Sequence, residues 1–167
     1  LEAYITAANG ANQGYNAMSY FGRISNGVGV DYRMTSVSRP DFTSRTAISL
    51  GNDIDPWNTE YGISGPRLED GGLHHVVTVV TDEAITFYID GNEIGASGLP
   101  AVTIGSLSNE LAYLAKGGLA GDSTWIGSIE EFNIYEGILP IETIESHTIS
   151  YIGGIPTVAS SVGLSGS

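Results

Sequence analysis

Residues 75–94 constrain the fold more than any other part of the sequence. They read HVVTVVT, then the turn pair Asp82-Glu83, then ITFYID, then a second turn at Gly91-Asn92 leading into Glu93-Ile94. β-Branched and aromatic residues suit the half-buried surface of a sheet and lose side-chain freedom in a helix. Two such runs broken by short turn pairs fold back on each other as an antiparallel meander. A sheet built this way has one apolar face to bury, so the rest of the chain must supply a second layer.

The remaining segments can do that. Residues 1–8 (LEAYITAA), 18–23, 28–34, 47–50, 102–105, 111–115 and 125–135 (WIGSIEEFNIY) all read as short strands. Ser25-Asn26-Gly27 has the residue types of a turn with positive φ. Twenty-three glycines are scattered without a period, as turns between strands are. With 41% hydrophobic and 15% charged residues over 167 positions, the chain can fill one core, and a disordered chain would be poorer in the first. The expectation is an all-β, two-sheet antiparallel sandwich occupying residues 1–152. One short helix follows Leu139-Pro140 over IETIESH, about two turns long, with Ile141, Ile144 and Thr148 on one face.

Residues 51–70 read as the least regular stretch, and long loops on a rigid sheet scaffold are where function usually sits. Residues 153–167 form a Gly/Ser-rich tail. Within it Val158, Val162 and Leu164 share a parity, as a strand laid along a sheet edge would have. That edge could belong to its own domain or to a neighbouring subunit, which makes a homo-oligomer joined through the chain termini an expectation.

Nineteen acidic and six basic residues give a net charge of −13. Phosphate binding needs clustered Lys and Arg, so the balance argues against a nucleic-acid partner and against an anionic membrane surface. No apolar run is long enough to insert into a membrane. Without cysteine there is neither a disulfide nor a thiolate metal site. A first residue of Leu1 and not Met reads as a processed chain or a fragment.

Three segments taken together, GGLHHVVTVV, ITFYIDGNEIG and WIGSIEEFNIYEGILPIETIESH, resemble the laminin G-like and pentraxin-like branch of the concanavalin A-like superfamily. Leu73-His74-His75 stands where that family usually has Trp-His-His, and Glu130-Glu131 where it has Asp-Glu. LEAYITAA looks like the family's early strand, and the strand that normally precedes it is missing. The resemblance implies a jelly roll, with an extracellular or cell-surface location. It implies several kinds of relative, among them sugar binders, calcium-dependent protein binders, adhesins and accessory domains, so fold alone does not decide function.

Catalysis finds no support in the motifs. Glycoside hydrolysis needs two carboxylates flanking one bond, and the adjacent Glu130 and Glu131 should face opposite ways on a strand. His74 and His75 are separated in the same way and are expected to be structural and not zinc ligands. Calcium is better served. Asp53 and Asp55 stand two apart in the 51–70 loop with Glu60 nearby, and loop carboxylates are the ligands a hard cation takes. The competing reading is a solvated acidic loop. Trp57 and Tyr61 in the same loop offer faces on which a sugar ring can stack, and the competing reading makes them anchors packed on the sandwich.

These observations point to a non-catalytic binding module that takes a glycan or an extracellular protein, with possible assistance from calcium. The alternative is a self-assembling subunit of an extracellular filament or surface layer, joined by terminal strand exchange.

Overall fold

The computed structural model describes residues 1–8, 14–25, 28–51, 56–99 and 104–153. The calls on Asp53, Asp55 and the 154–167 tail therefore lie outside the described residues. Ten strands form two five-stranded antiparallel sheets. The strands are β1 Glu2–Ala7, β2 Asn16–Ser25, β3 Val28–Ser38, β4 Thr43–Ser49, β5 Glu60–Pro66, β6 Leu73–Val80, β7 Ala84–Ile89, β8 Asn92–Gly98, β9 Leu111–Leu114 and β10 Gly127–Asn133. The first sheet runs β10-β1-β6-β7-β8 and the second β5-β4-β3-β2-β9. Their inner faces meet in a core of Ile5, Met18, Val37, Leu68, Val76, Phe87, Ile89 and Trp125.

The meander is present as expected, with one adjustment. Ile89 pairs with Asn92, so the two central turn residues are Asp90 and Gly91, with φ of 51° and 79°. Two successive positive φ angles twist the turn in the sense that matches the strands, and Asp and Gly tolerate them best.

Three expectations are corrected. The 51–70 stretch is not irregular throughout: Pro56–Thr59 is a 3₁₀ turn, and β5 follows it and pairs with β4 along its full length. Gly62 fits there because a Cβ would come within 2.3 Å of the Thr46 carbonyl oxygen. Ile104–Ser106 forms a 3₁₀ turn where the end of a strand was expected. The helix α1 spans Ile141–Ile152, a turn longer than expected, and stops where Gly153 enters the left-handed region at φ 70° and donates its N–H to Ile149 O.

The helix lies on the outer face of the first sheet. Ile144 and Thr148 are buried there, whereas Ile141 is exposed, and Tyr151 stacks on Tyr4 with ring centroids 3.8 Å apart. Pairing slips between Tyr4 and Ile5, leaving Glu130 as an extra residue on β10. Glu131 stands opposite Tyr4, and Glu130 Oε2 accepts from Tyr151 Oη at 3.3 Å. The bulge thus turns both carboxylates toward the helix side, against the expectation from simple alternation.

Candidate ligand-binding cavity

The outer face of the second sheet is set by a bulge in β2. Ala17 pairs with Ser36 and Ser19 with Thr35, so Met18 is the extra residue. Met18 joins the core and Ser19 turns inward to Arg33, while Ala17 and Tyr20 share the outer face. Tyr20 stands opposite Met34, and Tyr32, Met34 and Ser36 follow on β3 at alternate positions. Ser49, opposite both Tyr32 and Glu60, carries that face across to β5.

These residues floor a cavity of about 330 Å³. Tyr20 and Tyr32 are buried, with ring centroids 5.4 Å apart and planes tilted by 33°. Burial pushes both phenols well above their usual range, and the charge of Glu60 adds to that effect at Tyr32. Tyr32 Oη donates to Glu60 Oε1, and Arg45 Nε donates to Glu60 Oε2 at 2.9 Å. Glu60 is therefore engaged at both oxygens by its own sheet.

Loops build the walls. Trp57, from the 3₁₀ turn, and Tyr15, just before β2, are 49% and 45% exposed and present their rings to solvent at the cavity. Pro56 is buried and its carbonyl accepts hydrogen bonds from Ser49 Oγ and Thr59 Oγ1, which anchors the turn that carries Trp57. The Arg39 guanidinium lies 5.7 Å from the Tyr15 ring centroid, and Arg39 Nε is buried without a hydrogen-bond acceptor among the described residues. Leu119 and Asp122 close the remaining side. Asp122 Oδ2 accepts from the Leu119 N–H at 3.0 Å, and burial nonetheless raises its carboxyl above the usual range. The backbone at Gly118 approaches Tyr20 closely, since a Cβ there would fall 2.2 Å from the ring.

Of the residues singled out from sequence, Trp57 and Glu60 meet at this cavity. Tyr61 does not line it: it follows Glu60 on the same strand and so takes the opposite face, beside Ile48. Among the described residues no group of three His, Asp or Glu side chains is arranged to hold a metal ion. His74 and His75 are indeed apart. His74 sits between Asp90 Oδ2 at 2.9 Å and Asp70 Oδ1 at 3.1 Å, while His75 faces Glu2 and Thr148. Tyr15, Tyr20, Tyr32 and Arg39 escaped the sequence reading because only strand register brings them together. Their one local signal was the density of aromatic residues flanking the first hairpin.

The family profile of a laminin G domain type, described as the concanavalin A-like lectin/glucanases superfamily, matches residues 3–145. No curated protein matches the sequence. Among solved structures, similarity is found to an S-layer domain-containing protein (residues 221–444) from Clostridium thermocellum, at 20% identity and a TM-score of 0.38. The match covers 83% of this chain and 64% of that one.

Proposed function

The chain belongs to the laminin G-like domains of the concanavalin A-like lectin/glucanases superfamily, and on that premise we propose that it is a non-catalytic, extracellular module that binds a glycan in the cavity on its second sheet. The observation that carries the reading is the pair of exposed rings, Tyr15 and Trp57, bordering a concavity floored by Tyr20 and Tyr32. The C–H face of a sugar stacks on such rings, and its hydroxyls need donors and acceptors nearby. Arg39, Ser36 and Asp122 line the same space with polar groups. A net charge of −13 disfavours polyanionic glycans and leaves neutral ones as the ligand class.

Binding, and not bond cleavage, suits the carboxylates of this cavity. Glu60 is tied to Arg45 and Tyr32, which leaves Asp122 as the one acid among the described lining residues without a cationic partner. Hydrolysis would ask for an acid and a second carboxylate working across one bond. The proposal includes no metal, because Glu60 is already engaged and Asp53 and Asp55 lie outside the described residues.

A glycan array read with the folded protein, followed by calorimetry on the best neutral oligosaccharide, tests the proposal. Saturable binding that Trp57→Ala weakens by about tenfold supports it. Absence of binding across the array, or binding that Trp57→Ala leaves unchanged, removes it.

A further inference from the structure

A second cavity, of about 730 Å³, opens between the two sheets at one end of the sandwich and shares no residue with the first. Its walls come from the end of β6 and the following turn, from the 104–112 segment, and from the 134–139 segment that joins β10 to α1. Ile104, Ile134 and Ile138 stand exposed around it. An apolar concavity of this size with a few placed polar groups has the form of a ligand site.

Arg33 on β3 lines this cavity and is only 4% exposed. The other four arginines each have a carboxylate: Arg23 with Asp31, Arg39 with Asp41, Arg45 with Glu60 and Arg67 with Glu69. Arg33 forms no ion pair among the described residues. Its hydrogen bonds are two long ones, Nη1 to Ser19 Oγ at 3.4 Å and Nη2 to Thr35 Oγ1 at 3.5 Å. Guanidinium carries five N–H donors in a fork shaped for a carboxylate, so most of its capacity is unused. A buried charge without a partner is strongly destabilising, and burial holds Arg33 down at about 10.

We propose that this groove takes an extended peptide segment of a partner protein, one that carries a single carboxylate between apolar residues, with the carboxylate seated on Arg33. A polyanion does not fit, because Asp82 and Glu136 are exposed at the mouth and the chain is already strongly acidic. A fatty acid fits less well than a peptide. Ser108 and Asn109 on the wall can serve peptide N–H and C=O groups, whereas a methylene chain would cover them without partners.

The test titrates the full chain with a labelled peptide of sequence acetyl-Val-Val-Glu-Val-Leu-amide, with its Gln analogue, and with palmitate. The Glu peptide should bind about tenfold more tightly than the Gln peptide, the size expected for one charge-assisted pair. Arg33→Met should erase that preference while its melting temperature stays level or rises, since a buried unpaired charge has gone. Ala112→Trp, at an exposed position of β9 on the groove wall, should weaken both peptides and leaves Arg33 in place. Equal binding of the two peptides, no binding of either, or tighter binding of palmitate would each overturn the proposal. So would a stable dimer in light scattering that the peptide does not dissociate, since a second copy would then be the occupant.

Discussion

Glu2 Oε1 lies 2.7 Å from His75 Nε2, and neither side chain is more than 1% exposed. The two residues sit diagonally on neighbouring strands, since Tyr4 stands opposite His75 and Val77 opposite Glu2. Glu2 also accepts from His147 Nδ1 at 2.9 Å and from Tyr135 Oη at 2.7 Å. On the far side of the ring, Thr148 Oγ1 lies 2.6 Å from His75 Nδ1 and 2.9 Å from Ile144 O. One carboxylate thus ties the sheet, the helix and the segment between them.

Removing that carboxylate should be expensive. Glu2→Gln weakens the hydrogen bonds that the carboxylate makes with His75, His147 and Tyr135, and losing buried hydrogen bonds to a charged group costs about 3 kcal/mol. Urea denaturation monitored by tyrosine and tryptophan fluorescence should show a lower midpoint with an unchanged slope. A loss under about 1 kcal/mol would mean that helix docking does not depend on Glu2.

The same group sets an acid limit. Burial alone would raise the Glu2 carboxyl, but hydrogen bonds from His75, Tyr135 and His147 outweigh that and hold it at about 2. An acid whose folded value is depressed stabilises the fold above its unfolded value of 4.5 and loses that contribution as pH falls toward 2. The contribution at neutral pH is on the order of 3 kcal/mol. Melting temperature should fall between pH 4.5 and 2, and Glu2→Gln should flatten much of that fall.

His74 works in the opposite sense. Asp90 chiefly, and Asp70 with it, raise its value above 6.5 despite partial burial. A base raised in this way stabilises the fold fully below 6.5 and loses that contribution as pH climbs through the folded value. Stability should therefore decline as pH rises above 6.5, and His74→Gln should remove the decline. A melting curve in Asp90→Asn that keeps the alkaline decline at full size would contradict this assignment.

At the cavity, Trp57→Ala and Tyr15→Ala should each weaken glycan binding by about tenfold, or 1–2 kcal/mol. Both rings are about half exposed, so melting should change by little, within about 0.5 kcal/mol. Tyr61→Ala, on the other face of β5, should leave affinity alone. Calorimetry on all three separates the platform from the scaffold.

Gly118→Ala should act in the other way. Its Cβ would fall 2.2 Å from Tyr20 Cζ, and Tyr20 is locked beneath it, so the loop must lift. Both melting temperature and glycan affinity should drop, by about 1–3 kcal/mol for the overpacking. An unchanged melting curve would show that the 115–126 loop does not rest on Tyr20.

Much of the fold was legible from local pattern. The β6-β7-β8 meander follows from HVVTVVT and ITFYID because β-branched runs and a two-residue turn are local signals. β5 was not, since EYGISGP holds two glycines and a proline and looks like a breaker. It is a strand because β4 gives its backbone a partner and the missing Cβ of Gly62 lets the two chains close up. Trp57 could be found as an aromatic in a polar stretch. Tyr20 could not be placed, because counting alternate residues from Ala17 puts it in the core.

What the amino-acid sequence determined alone was the class: antiparallel strands in two layers, a single C-terminal helix, a strongly acidic surface and no thiol chemistry. Those depend on period, turn residues and charge, all of which act over a few positions. What the tertiary structure decided was facing. The bulges at Met18 and Glu130 each shift parity by one, and so choose which aromatic rings and which carboxylates share a side. The same register buried Arg33 without an acid among the described residues and set Glu2 against His75, relationships between residues too far apart in sequence for any local rule to reach.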